Sequence, residues 1–152
     1  MSHRAPWECS FAREERSRCL PGKKPRTDRE YFEVLSLCIL QAGLSWARVR
    51  SSWPLYRRAF FNFEVAKLAH VPPAALLRRQ GALRNPKKVA ALVANAQEFE
   101  RIRAEHGTFA RYLRGVKSEK EACTILQERF RHVGPYTAEF YLHCVGRSVY
   151  AP

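Results

Sequence analysis

The chain has 152 residues, the length of one domain, with 27 Lys and Arg against 14 Asp and Glu and a formal net charge of +13. An apolar share of 46% excludes a disordered basic tail, and no run approaches the roughly 18 apolar residues of a membrane span. The opening MSHRAPWECS lacks the apolar stretch of a secretory signal, so the expected setting is the cytoplasm, associated with the nucleoid in a bacterium.

The basic residues are 20 arginines and only 7 lysines. Arginine grips phosphate through a planar fork, and a globular domain this basic most often meets nucleic acid. Charge serving solubility alone is the plainer alternative. Five cysteines, Cys9, Cys19, Cys38, Cys123 and Cys144, form no CxxC pair, which argues against a secreted disulfide framework and a zinc ribbon.

Residues 1–26 read as a basic, irregular arm with one short helix near Phe11–Cys19. The globular part, residues 27–152, opens at Thr27, which with Glu30 has the spacing of a capping box. The helix that follows is apolar nearly all round, as a buried central helix is, and Gly43 stops it. Trp53-Pro54 opens a short helix through Phe60, and Pro72-Pro73 opens another that Gly81 closes. Asn85-Pro86 starts an amphipathic helix through Val89, Leu92, Val93, Ala96 and Phe99, ended by Gly107. Thr108 caps a short helix, and Ser118 with Glu121 forms a second capping box. The last helix starts after Gly134, with Ala138, Tyr141, Leu142 and Val145 on one face. No segment alternates as a strand does. The predicted fold class is all-α, a compact bundle of about eight short helices with a helix-hairpin-helix element near the C-terminus.

The hairpin is Phe130-Arg131-His132-Val133-Gly134. A tight turn ending in glycine points the backbone N–H groups and positive dipole of the next helix outward, which makes a phosphate site. Arg131, His132, Val133, Gly134 and Thr137 are therefore the candidate DNA-binding residues, although an ordinary antiparallel helix pair has the same outline. The stretch Gln41-Ala42-Gly43-Leu44-Ser45-Trp46 is more specific. It is followed by Trp53 to Phe60, Gly81-Ala82-Leu83-Arg84-Asn85, Lys88, Asn95-Ala96 and Gly107-Thr108-Phe109 before the hairpin.

In that order and spacing the chain resembles the 3-methyladenine DNA glycosylase I family of helix-hairpin-helix glycosylases, over about residues 27–146. The resemblance implies that Trp46 stacks on the excised base and that Gln41 lines the same pocket. An aromatic face suits a flipped, methylated, cationic purine. Trp46 could instead be a core aromatic and Gln41 a helix cap. Cys38 stands where the family has a base-binding glutamate, and it cannot accept the same charged hydrogen bond. Cys38, Gln41 and Trp46 form the candidate base-binding set, and a glutamate restored at position 38 is expected to strengthen it.

The family also binds zinc through two cysteines and two histidines. Those positions fall here at residues such as Ala5 and Ala151, so neither metal nor other cofactor is expected. Related glycosylases carry a catalytic aspartate about seven residues beyond a glycine like Gly146. That count passes Pro152, so the catalytic residue is not identified and a truncated frame is one expectation. Glu139 is a poor substitute and is expected to face solvent. Tyr136 occupies the position where bifunctional relatives place a lysine nucleophile, which implies a monofunctional hydrolase. The expected partner is double-stranded DNA with a damaged base, met by a monomer away from any membrane. The rival readings are a non-catalytic relative that only binds DNA and a basic RNA-associated helical protein.

Overall fold

Gly22 makes its way into the fold by contact rather than by regular structure. Its N–H donates to the His143 carbonyl at 2.8 Å, and a Cβ there would collide with the Cys144 carbonyl. The computed structural model describes residues 6–8 and 22–147. Among them are eight α-helices and no strand. The helices are α1 (Asp28–Gln41), α2 (Trp46–Ala59), α3 (Val65–Leu68), α4 (Pro73–Leu77), α5 (Pro86–His106), α6 (Phe109–Gly115), α7 (Glu119–Arg129) and α8 (Pro135–Cys144). One-turn 3-10 helices lie at Pro6–Glu8 and Phe61–Phe63. The short helix expected near Phe11–Cys19 lies outside the described residues.

The helix starts are written in local polar chemistry. Thr27, Ser45, Asn85, Thr108 and Ser118 each accept a hydrogen bond from the N–H three residues on, at 2.9 to 3.3 Å. In the first of these boxes the returning bond is shifted by one residue. Glu30 Oε2 accepts from the Arg26 N–H at 2.9 Å. Gly43, Gly81 and Gly107 adopt φ of +83°, +86° and +87°, where L side chains are strained, so they end helices or turn the chain.

Three expectations change, the first being that the helix opened by Pro72-Pro73 ends at Leu77 rather than at Gly81. The helix expected to open at Trp53-Pro54 begins at Trp46, and Pro54 lies inside it. Ser45 caps that helix well upstream, and the missing Pro54 N–H costs one ladder bond on a face that Pro54 shares with solvent. The short turns at Phe61–Phe63 and Val65–Leu68 are additional to the helices expected from the sequence.

The core gathers around α1. Phe32, Leu35 and Leu40 are fully buried, with Phe60, Phe63, Phe99, Phe109 and Tyr141 around them. Rings interlock: Phe99 stacks on Phe109 at 4.3 Å and meets Phe32 edge-on at 5.2 Å. Each buried aromatic contributes a few kcal/mol of transfer free energy, and the edge contacts add about 1 kcal/mol each. This core holds the α1–α2 turn and the α7–α8 hairpin as rigid features.

Candidate nucleic-acid and base site

The α1–α2 turn, residues 42–45, is made by Gly43 and held by side chains at both ends. Gln41 Nε2 donates to the Leu44 carbonyl at 2.9 Å. Lys88 reaches from the first turn of α5 and donates to the Leu40 carbonyl at 3.0 Å and to the Ala42 carbonyl. Burial pulls the Lys88 ammonium below the usual lysine range. Two carbonyl acceptors at the negative end of α1 work the other way and favour its charge.

Trp46 is half-buried at the start of α2, with its ring centroid 5.6 Å from that of Phe140 on α8. Phe140 lies nearly parallel to Tyr136, at 6.1 Å and 9°. Tyr136 is 45% exposed, so the three rings run from the buried side of α8 to its open N-terminal end. Sequence reasoning had no signal for Phe140, because only the packing of α8 against the α1–α2 turn brings it to Trp46. Cys38 is 3% exposed on the core side of α1, so of the three base-binding candidates only Gln41 and Trp46 reach the surface.

The hairpin has the expected form. Phe130 and Val133 are buried and anchor it, while Arg131, His132 and Gly134 are exposed. His132 takes φ +59°, the left-handed conformation that a glycine would adopt without strain. Gly134 is the N-cap of α8 with no side chain capping it, and Pro135 fills the first helical position. The amide of Asn95, itself 2% exposed, holds the turn from beneath. Its Oδ1 accepts from the Arg131 N–H at 2.8 Å and its Nδ2 donates to the Arg131 carbonyl at 3.2 Å. Arg131 is thus fixed by its main chain, which leaves its side chain at the surface. Thr137 is half-buried in the first turn of α8. Glu139, expected to face solvent, is half-buried near Cys123, whose thiol is pushed up by burial and by the nearby Glu139 and Glu119 carboxylates.

The charge is unevenly spread. Residues 34–97 hold ten lysines and arginines against the single carboxylate Glu64, so nine of the thirteen excess positive charges lie in the stretch that contains the α1–α2 turn. Arg48 and Arg50 are exposed directly after Trp46, and Lys87 is exposed beside Lys88. A phosphodiester backbone approaching the α1–α2 turn meets these exposed cations.

Two cavities open on other parts of α1. The larger, about 550 Å³, is bounded by Trp7 and Trp53, by Lys24, Arg29 and Arg57, and by Glu33 at its base. Glu33 is 7% exposed and accepts from Arg57 at 2.7 and 3.2 Å and from Trp53 Nε1 at 3.3 Å. The smaller, about 260 Å³, lies among Tyr31, Leu113, Val145 and Arg147. Neither is lined by Cys38, Gln41 or Trp46. Among the described residues no group of three or more His, Cys, Asp or Glu could hold a metal ion. No described helix is long and apolar enough to cross a membrane.

The all-α fold that carries this turn and hairpin matches solved structures of 3-methyladenine DNA glycosylases I. One crystal structure of such a protein superposes with a TM-score of 0.71 at 22% identity, covering 84% of this chain and 83% of that one. The Staphylococcus aureus protein described as showing the structural basis of 3-methyladenine recognition superposes at 0.70 and 23% identity, covering 93% and 91%. In sequence, the methyladenine glycosylase family matches residues 22–139, and the chain belongs to that family. The DNA-3-methyladenine glycosylase of Haemophilus influenzae is 33% identical over 81 residues, which is 51% of this chain and 44% of that protein. DNA-3-methyladenine glycosylase 1 of Escherichia coli is 33% identical over 79 residues, 49% of this chain and 42% of that protein. The matched stretch thus spans less than half the length of these curated relatives.

Proposed function

We propose that the protein is a monofunctional DNA glycosylase that hydrolyses the N-glycosidic bond of alkylated purines such as 3-methyladenine in double-stranded DNA. The observation that carries this reading is the half-buried Trp46 ring beside the turn that Gln41 and Lys88 hold, on a domain whose family excises methyladenine. The hairpin and Arg131 take the phosphate backbone, while Trp46, with Gln41 at its side, receives the flipped base. Cys38, buried on the core side of α1, does not reach this surface. A purine methylated at N3 is cationic, so Trp46 attracts it through the ring face. When the C1′–N9 bond breaks, its electron pair returns to the ring and the base leaves neutral. Water then adds to C1′ and gives up a proton to solvent. Because the leaving group is already activated, little acid catalysis is needed. Tyr136 offers no amine for a covalent intermediate, so the strand stays intact. The protein would act as a monomer in the cytoplasm, without a metal or other cofactor.

One observation favours a second reading. Cys38 lies buried where the family has a base-binding glutamate, which fits a relative that binds DNA without excising a base. Release of 3-methyladenine from methylated duplex DNA separates the two. Release abolished by Trp46→Ala supports excision, whereas duplex binding with no release supports the second reading.

A further inference from the structure

We propose that α5 is a brace that sets the spacing between the base-stacking turn and the phosphate-binding hairpin, with Lys88 and Asn95 as positioning residues. The proposal rests on the reading above for what each loop holds, but its geometry is independent of that reading.

Lys88 and Asn95 are seven residues apart on one helix. Seven steps of 100° return to within 20° of the starting direction, so both side chains leave the same face. Along the axis they are about 10 Å apart, at 1.5 Å per residue. Each makes two hydrogen bonds to the main chain of a different loop. Lys88 donates to the Leu40 and Ala42 carbonyls, on either side of Gln41 and ahead of Trp46. Asn95 exchanges a donor and an acceptor with the Arg131 peptide unit. These bonds bridge 46, 48 and 36 residues of sequence. Bonds to main chain fix where a loop sits whatever side chains it carries, and they leave the Trp46 ring and the Arg131 guanidinium free of that task.

The rest of α5 keeps the brace rigid. Asn85 caps its start, and Val89, Leu92, Ala96, Phe99 and Ile102 are buried along it. One rigid helix therefore holds both the base-stacking turn and the phosphate-binding hairpin. A misplacement of about 1 Å between two such points is enough to cost catalysis heavily.

The test uses the full chain, with Lys88→Met and Asn95→Ala as disrupting variants and Lys88→Arg and Asn95→Asp as conservative ones. Hydrogen exchange is followed at the Ala42 and Leu44 amides and at the Arg131 amide. Free 3-methyladenine and an undamaged duplex oligonucleotide are then titrated into each variant. The brace predicts a crossed pattern. Lys88→Met speeds exchange only around residues 40–46 and weakens free-base binding about tenfold, with duplex binding unchanged. Asn95→Ala speeds exchange only around residues 130–134 and weakens duplex binding about tenfold, with free-base binding unchanged; tenfold is the loss of about one good interaction. Lys88→Arg keeps the parent's pattern, and Asn95→Asp, which retains the acceptor for the Arg131 N–H, falls between. If the disrupting variants fail to fold, Asn95→Asp must still speed exchange around residues 130–134 alone, while Lys88→Arg leaves residues 40–46 as in the parent. Exchange that rises evenly over the chain, or in neither loop, overturns the brace and leaves two ordinary core contacts. If exchange is crossed but the parent binds neither base nor duplex, the brace stands and the glycosylase reading falls.

Discussion

The hydroxyl of Tyr141 on α8 donates a 2.9 Å hydrogen bond to the main-chain carbonyl of Tyr31 on α1, inside the core. Burial raises the Tyr141 phenol well above its ordinary value of 10.0 and raises Tyr31 as well. Both groups hold their protons more tightly folded than unfolded. The stability they contribute is therefore present below pH 10 and is lost as the pH rises above it, more from Tyr141 than from Tyr31. Tyr141→Phe should cost about 1 kcal/mol at neutral pH through the lost hydrogen bond. It should also make the fall above pH 10 shallower than in the parent. Urea midpoints between pH 7 and 11 measure both effects, and parallel curves for parent and variant would refute the assignment.

Among the described residues Glu33 is the one buried carboxylate, and it accepts from three donors on Trp53 and Arg57. Removing it as Glu33→Ala leaves the Trp53 N–H and the Arg57 guanidinium facing an emptied cavity wall. The cost should be about 2 kcal/mol, moderated because the Arg57 side chain is 51% exposed and can turn to water. Denaturant unfolding should show a lower midpoint with an unchanged slope. A midpoint within error of the parent would mean that the cluster is incidental.

Position 38 looks different in the fold than in the sequence. A glutamate restored there was expected to strengthen base binding, but Cys38 is 3% exposed and packed in the core. Cys38→Glu would bury a carboxylate without a partner, so it should lower the melting temperature by several degrees and bring no gain in affinity. Trp46→Ala removes a half-buried ring that touches Phe140, so the variant should stay folded. It should lose most of its affinity for free 3-methyladenine, since stacking is worth about 1–3 kcal/mol per base. Calorimetric titration with circular dichroism decides both. Normal base binding by folded Trp46→Ala would place the pocket elsewhere.

Much of this fold is legible because its boundaries are local. Thr27, Asn85, Thr108 and Ser118 announce helix starts through hydrogen bonds that span three residues, and Gly107 announces a stop through its own φ. What is less legible depends on distance in sequence. Phe61, Asn62 and Phe63 all take positive φ, a turn that no glycine signals. Arg29 from α1 donates to the Asn62 carbonyl, and the Arg79 guanidinium lies over the Phe61 ring at 4.0 Å. The site follows the same division. Trp46, Gln41 and the hairpin stand out as motifs, whereas Phe140 behind Trp46 and Asn95 beneath Arg131 become partners only once the helices pack.

The hairpin separates two contributions to DNA affinity, one from close backbone approach and one from charge. Gly134 has an extended conformation, φ −89° and ψ −178°, and an added Cβ meets nothing within 4 Å. Gly134→Val should therefore fold as the parent does, and any loss of duplex affinity can be read as lost approach to the α8 N-terminus. Arg131→Ala keeps the Asn95 bonds, which involve only the main chain, and removes one exposed cation. Its loss should shrink at high salt, with the slope of log affinity against log salt falling by about one. Gly134→Val should instead weaken binding by a factor that changes little with salt, because no charge is removed. Fluorescence anisotropy on a labelled duplex between 50 and 200 mM salt, a range over which such contacts are sensitive, distinguishes the two. Full affinity in folded Gly134→Val would move the phosphate site away from this hairpin, and an unchanged salt slope in Arg131→Ala would remove Arg131 from it.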